Sequence, residues 1–182
     1  MCKEIIVQCA PLIVGLKMAH TLVVHRHFLS ELRHILAGTE IHIWVLCCRK
    51  EKVTLLLYNY NMFCSRLSDQ RLIEFLQTNG YDKFGVEEVL SSFQNKYIEY
   101  CSGRQSFPHE LGLFLGYPLE DVEGFIENEG ENSLYHGYWK VYANVPAKRE
   151  LFRMYELAKE RMVKMLCDGV KLEEIIMIYC KN

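Results

Sequence analysis

The strongest constraint on this chain lies in its first third. Two runs, Ile41–Cys48 and Val53–Asn59, are rich in β-branched and aromatic residues and are separated only by Arg49-Lys50-Glu51-Lys52. Such residues suit a pleated, half-buried surface, and a short charged break between two such runs predicts a hairpin. An isolated hairpin is marginal in water and needs other elements packed on it.

The flanking sequence supplies those elements in helical periodicity. Lys3 to Lys17 reads as helical but contains Pro11, so either the helix kinks there or a new helix begins with Pro11 in its first turn. His27–Ala37 carries Phe28, Leu29, Leu32, Ile35 and Leu36 at helical spacing, with Gly38 as the stop. Ser68 is placed to cap Asp69–Thr78, a helix ending near Gly80. Val86, Val89, Leu90, Phe93, Tyr97 and Tyr100 mark one face of the next helix. Pro118 opens another, with Glu120 and Asp121 suited to its dipole. Tyr138–Tyr142 reads as a short strand. Pro146 opens the longest helix, to about Cys167, with Leu151, Tyr155, Ala158, Met162 and Met165 on one stripe. The expectation is an α+β fold: a small, largely antiparallel sheet with helices packed on it and a long C-terminal helix. No repeat, Pro-rich linker or low-complexity tract divides it, so residues 1–182 read as a single domain.

Charge excludes some partners. The formal net charge is -2 and the sequence pI about 6.4, which builds in no general attraction to nucleic acid or anionic lipid. The most apolar stretch, Ile5 to Val24, is interrupted by Gln8, Pro11, Lys17 and His20, whereas a spanning helix wants about 20 nearly continuous apolar residues. A basic leader followed by a small-residue cleavage site is absent, and a cytoplasmic location is expected. The eight cysteines include no C-x-x-C pair and no zinc or iron–sulfur spacing, so they read as reduced thiols, several acting as small apolar residues.

The candidate sites each admit two readings. If a helix starts at Pro11, Cys9 lies just before its positive end, where a thiolate is favoured and could serve as nucleophile; otherwise Cys9 is a buried residue beside a kink. His109-Glu110 begins like H-E-x-x-H, but residue 113 is Leu, so the zinc-protease reading fails. A His at a helix start should remain neutral and could act as base or ligand. Gly112 and Gly116 then fall on the same helical face as His109, a bare strip suited to a ligand or to a neighbouring helix. Strand alternation puts Tyr138, Lys140 and Tyr142 on one face and Trp139 and Val141 on the other. The first face could stack a ring and hold an anion, or simply form the sheet surface. His27, Glu31 and His34 read as a solvated helix face rather than a metal site. The six carboxylates between Glu120 and Glu131 read as solvated helix and loop. Walker A, G-x-G-x-x-G and G-x-S-x-G elements do not occur, which argues against classical nucleotide binding and serine hydrolysis; no metal is assigned and the cofactor is left unknown.

Three blocks together resemble a known family. They are Cys9-Ala10-Pro11 with Gly15-Leu16-Lys17, Pro108 to Val122, and Gly137 to Tyr142. The chain resembles domain-of-unknown-function family three-seven-nine-three, found mainly in anaerobic Gram-positive bacteria, although Leu12-Ile13-Val14 stands where Thr-Leu-Ala is usual. The resemblance implies a whole-chain domain in a bacterial cytosol and no particular reaction. It draws attention to Cys9, Lys17, His109, Glu110 and Tyr117, which fall within the blocks.

Two functions follow as expectations. In the first, the blocks converge on a pocket for a small anionic or aromatic molecule. Cys9 and His109 are then candidates for thiol or acid–base chemistry, and Lys17, Glu110, Gly112, Gly116, Tyr117, Tyr138, Lys140 and Tyr142 are candidate ligand contacts. In the second, the glycine face and aromatic strand dock a partner protein without catalysis.

Overall fold

The computed structural model describes residues 2–180. The anticipated hairpin is present. Strands β2 (Ile41–Arg49) and β3 (Lys52–Asn59) pair antiparallel, and Arg49 opposite Lys52 leaves only Lys50 and Glu51 in the turn. A further strand, β1 (Ala19–His25), to which the sequence reading assigns no element, pairs antiparallel with the other edge of β3. The order β1-β3-β2 therefore makes β3 the central strand.

Helices cover both faces of that sheet, as the alternation along β3 shows. Val53, Leu55 and Leu57 pack in one cluster with residues of α1 (Cys2–Ile13), α2 (Leu29–Ile35) and α9 (Leu172–Cys180). Leu56 and Tyr58 face the other way. They join α3 (Tyr60–Arg66), α4 (Gln70–Thr78), α5 (Val86–Cys101), α6 (Glu110–Phe114) and α7 (Leu119–Glu127) in a second cluster. A smaller cluster of Trp139, Val141, Phe152 and Tyr155 joins the hairpin of β4 (Tyr135–His136) and β5 (Lys140–Val141) to the long helix α8 (Val145–Cys167).

Local chemistry refines several boundaries. The cap of α4 is Asp69, not Ser68: its carboxylate accepts from the Arg71 amide at 3.0 Å. Helix α3 starts directly after β3, because Asn59 accepts from the Met62 amide at 2.9 Å. The first helix continues through Pro11 to Ile13, so no new helix begins there. Pro11 has no N–H, so α1 lacks the one hydrogen bond that this residue would have donated to the Val7 carbonyl. Among the described residues, no helix is long and apolar enough to cross a membrane.

Candidate functional site

A cavity of about 390 Å³ lies where α6 and α7 meet the β4–β5 hairpin. The elements can approach because Gly112 has no side chain. A Cβ there would stand 3.0 Å from Val122 Cγ2 and 3.2 Å from the Tyr117 ring. His109, Gly112 and Tyr117 line the cavity from the 108–122 block, and Tyr138, Trp139 and Lys140 line it from the hairpin. Phe107 and Phe125 add aromatic walls.

One stacked pair closes the seam between the two blocks. The Tyr117 and Trp139 rings lie 4.6 Å apart at 24°, and Trp139 meets Phe152 edge to face at 4.5 Å. The indole is fixed by Asp121, whose Oδ2 accepts from Trp139 Nε1 at 2.8 Å. The other oxygen of Asp121 accepts from the amides of Tyr142 and Ala143, at 2.8 and 3.1 Å. Asp121 is therefore a buried clamp rather than part of a solvated acidic stretch, which corrects the sequence reading of that residue. Position in the first turn of a helix carries no signal of this role. Phe125 had one, since it lies three residues after Val122 on the apolar side of α7.

The remaining candidates divide clearly. His109 sits at the start of α6 with its ring against Phe107 and Phe125, each at 5.6 Å. Tyr138 donates to Glu156 Oε1 at 2.7 Å; burial, then that carboxylate, holds its phenol above the ordinary value. Lys140 donates to the Gly130 carbonyl. Tyr142 bonds the Glu131 carbonyl at 2.9 Å and does not line the cavity. Glu110 is also turned away, pairing with Lys96 on α5 at 2.6 Å. Gly116 is not on the helical face of Gly112, because α6 ends at Phe114. Its φ of +85° and the nearby Met18 Cβ, 3.3 Å from where a side chain would begin, explain glycine there.

Cys9 and His109 do not meet. Cys9 is buried in the cluster with Leu55 and Leu57, whereas α6 packs on the opposite face of the sheet with Leu56 and Tyr58. Without a helix start at Pro11 the thiol gains no positive helix end, and burial pushes it up to about 12 against the opposing pull of Lys17. The helix start on which the thiolate expectation rested is thus absent. Cys9 is instead neighbour to Lys17, whose ammonium lies 3.5 Å from His20 Nδ1 and 5.6 Å from the centre of the Tyr117 ring. Burial lowers Lys17 to about 8, with Cys9 opposing, and lowers His20 to about 4, helped by Lys17. Lys17 and Gly116 line a separate groove of about 790 Å³, with Arg66, Arg71 and Tyr155.

A family model described as protein of unknown function (DUF3793) matches residues 5–176. The chain belongs to that family. No curated protein and no solved structure matches it. The DUF3793 match runs from α1 into α9, so it covers the cavity, the Lys17 groove and both faces of the sheet. Among the described residues of this DUF3793 protein, no three His, Cys, Asp or Glu side chains are grouped to hold a metal ion.

Proposed function

We propose that this protein binds a small aromatic molecule carrying an acidic group, in the cavity between α6, α7 and the β4–β5 hairpin. One observation carries the reading: two separate blocks of the sequence, 108–122 and 137–142, close around a single space of about 390 Å³. That volume is within the range of small-molecule sites, about 300–1,000 Å³, and such sites combine mostly apolar walls with a few polar groups. Here Phe107, Phe125 and Trp139 supply ring surface, while His109, His136 and Lys140 supply donors. The one lining carboxylate, Asp121, already accepts three hydrogen bonds, so the polar character left for a ligand favours an anion. Docking of a partner through the glycine face has less support, because Gly112 abuts Val122 and Tyr117 inside the domain. We further propose a bacterial cytoplasmic setting, supported by the family resemblance and by cysteine spacing without a C-x-x-C pair.

Fluorescence tests the binding reading. The chain has two tryptophans, and Trp44→Phe leaves Trp139 as the sole reporter. Titration with 1-anilinonaphthalene-8-sulfonate should give saturable energy transfer from Trp139, displaced by salicylate. His109→Phe with Lys140→Met should weaken binding by about tenfold, consistent with loss of one or two polar contacts. Absence of saturable transfer, or transfer indifferent to both substitutions, rejects the proposal.

A further inference from the structure

Cys47 and Cys101 lie 54 positions apart in sequence, yet their Sγ atoms stand 3.6 Å from each other. A defect in the sheet brings this about. Regular alternation would turn Cys47 to the same face as Val45, which packs on the α1 and α9 side. The register slips between Val45 and Cys47, so Cys47 pairs with Thr54 instead of Val53. Leu46 and Cys47 consequently both face α5, where Leu46 enters the core and Cys47 Sγ lies 3.8 Å from Thr54 Oγ1. Bulges re-aim side chains in this manner. Gln94 of α5 holds the bulge by donating to the Val45 carbonyl at 2.7 Å. Cys101 ends α5 and is half-buried, whereas Cys47 is buried.

We propose that Cys47 and Cys101 form a modification site, a dithiol that closes to an intramolecular disulfide when a small disulfide oxidant is present. The Cys101 thiolate attacks one sulfur of the oxidant, forms a mixed disulfide and releases one small thiolate. Cys47 then loses its proton and attacks Cys101 Sγ, expelling the second small thiolate. Two protein thiols are oxidised by two electrons, the oxidant is reduced to two thiols, and the two protons end on those thiols. The sulfurs must close by roughly 1.5 Å to reach a bond of about 2.05 Å. Cys101 is the entry point because it is the more accessible of the two and lies near Arg49, which favours its thiolate. Burial and Cys47 nevertheless hold that thiol above its ordinary value, so exchange should quicken at mildly alkaline pH. Cys48 pairs with Val53, points to the opposite face and is left out of the bond. The product ties the end of α5 to β2 at the bulge.

The full chain is incubated in glutathione and glutathione disulfide at graded ratios near pH 8.5, about the ordinary thiol value. Acid quenching, alkylation with N-ethylmaleimide and peptide mass spectrometry then report each cysteine. As the disulfide fraction rises, a Cys47–Cys101 linked peptide should appear and alkylation of both residues should fall by about tenfold, while Cys48 gives no linked peptide. Cys47→Ser should instead accumulate the Cys101–glutathione adduct, because the resolving thiol is gone. A Cys48–Cys101 link, a Cys101 adduct that never resolves in the unmodified chain, or full alkylation of both residues at every ratio overturns the proposal.

Discussion

Asp121 accepts a hydrogen bond from the indole of Trp139 at 2.8 Å, and its second oxygen accepts from the amides of Tyr142 and Ala143. This single side chain ties α7 to the segment that walls the cavity. Asp121→Ala would leave three donors without their acceptor. The indole bond is buried and the two amide bonds are partly buried, and each buried, unsatisfied group costs about 1–3 kcal/mol, so a loss of about 2–4 kcal/mol is expected in urea unfolding. Asp121→Asn retains one acceptor oxygen and should fall between. Equal stability of Asp121→Ala and the parent chain would show that water replaces the carboxylate.

Lys17 should make the protein more stable as the solution turns mildly alkaline. Its pKa falls from 10.5 to about 8 on folding, so between those values the unfolded chain holds a proton that the native protein has lost. Stability therefore rises with pH through that window. Cys9 opposes this above pH 9, since its pKa rises from 9.0 to about 12 on folding and the unfolded chain ionises first. The net rise is confined to roughly pH 8–9. Lys17→Met should abolish it and add about 1–3 kcal/mol at pH 7, because the buried ammonium is removed. A lower melting midpoint for this variant would mean that the ammonium contributes favourably in the native protein.

His20 sets an acid limit with the opposite window. Burial and Lys17 lower its pKa from 6.5 to about 4, so on acidification the unfolded chain takes up a proton before the native protein does. The stability present above pH 6.5 is lost progressively as the pH falls towards 4. Melting curves of His20→Gln should flatten over that range relative to the parent chain. Parallel curves would show that His20 titrates freely when folded.

Glycine at 124 is a matter of space. A Cβ there would lie 2.6 Å from Tyr142 Cβ and 2.7 Å from Tyr142 Cγ, beside the Asp121 clamp. Gly124→Ala should force α7 and the hairpin apart at a cost of about 1–3 kcal/mol, despite the better helix propensity of alanine. At Gly116 the backbone itself is the obstacle, and Gly116→Ala should lose about 1–2 kcal/mol from the left-handed φ. Denaturant midpoints check both, and an unchanged midpoint at either position would indicate a backbone that shifts without strain.

Cys9 should be among the slowest thiols to alkylate. It is 1% exposed and its thiol is held neutral by burial, whereas Cys48 and Cys167 are exposed. Iodoacetamide labelling of the native protein near neutral pH, read peptide by peptide, should modify Cys48 and Cys167 well before Cys9. Rapid labelling at Cys9 would revive the thiolate reading and place a local opening at the end of α1.

The hairpin, the main faces of α5 and α8 and the burial of Trp139 and Val141 were legible in the sequence, because periodicity and β-branching act locally. Strand β1 was not, since its apolar run continues from that of α1 and only pairing with β3 selects the extended form. The blocks around His109 and Trp139 stood out separately, but nothing local says that they share a cavity, or that Glu110 turns to Lys96 instead. Cys9 and Cys47 show the same limit most sharply. Local sequence could place Cys9 near a proline, but whether its thiol ionises depends on what buries it. Alternation sends Cys47 away from α5, and a one-residue slip against β3 brings it to Cys101. Sequence by itself determined the β2–β3 hairpin and the longer helices, but not β1, α3 or α9. Tertiary packing decided which side chains meet and how much water they lose, because both depend on contacts between residues distant in the chain.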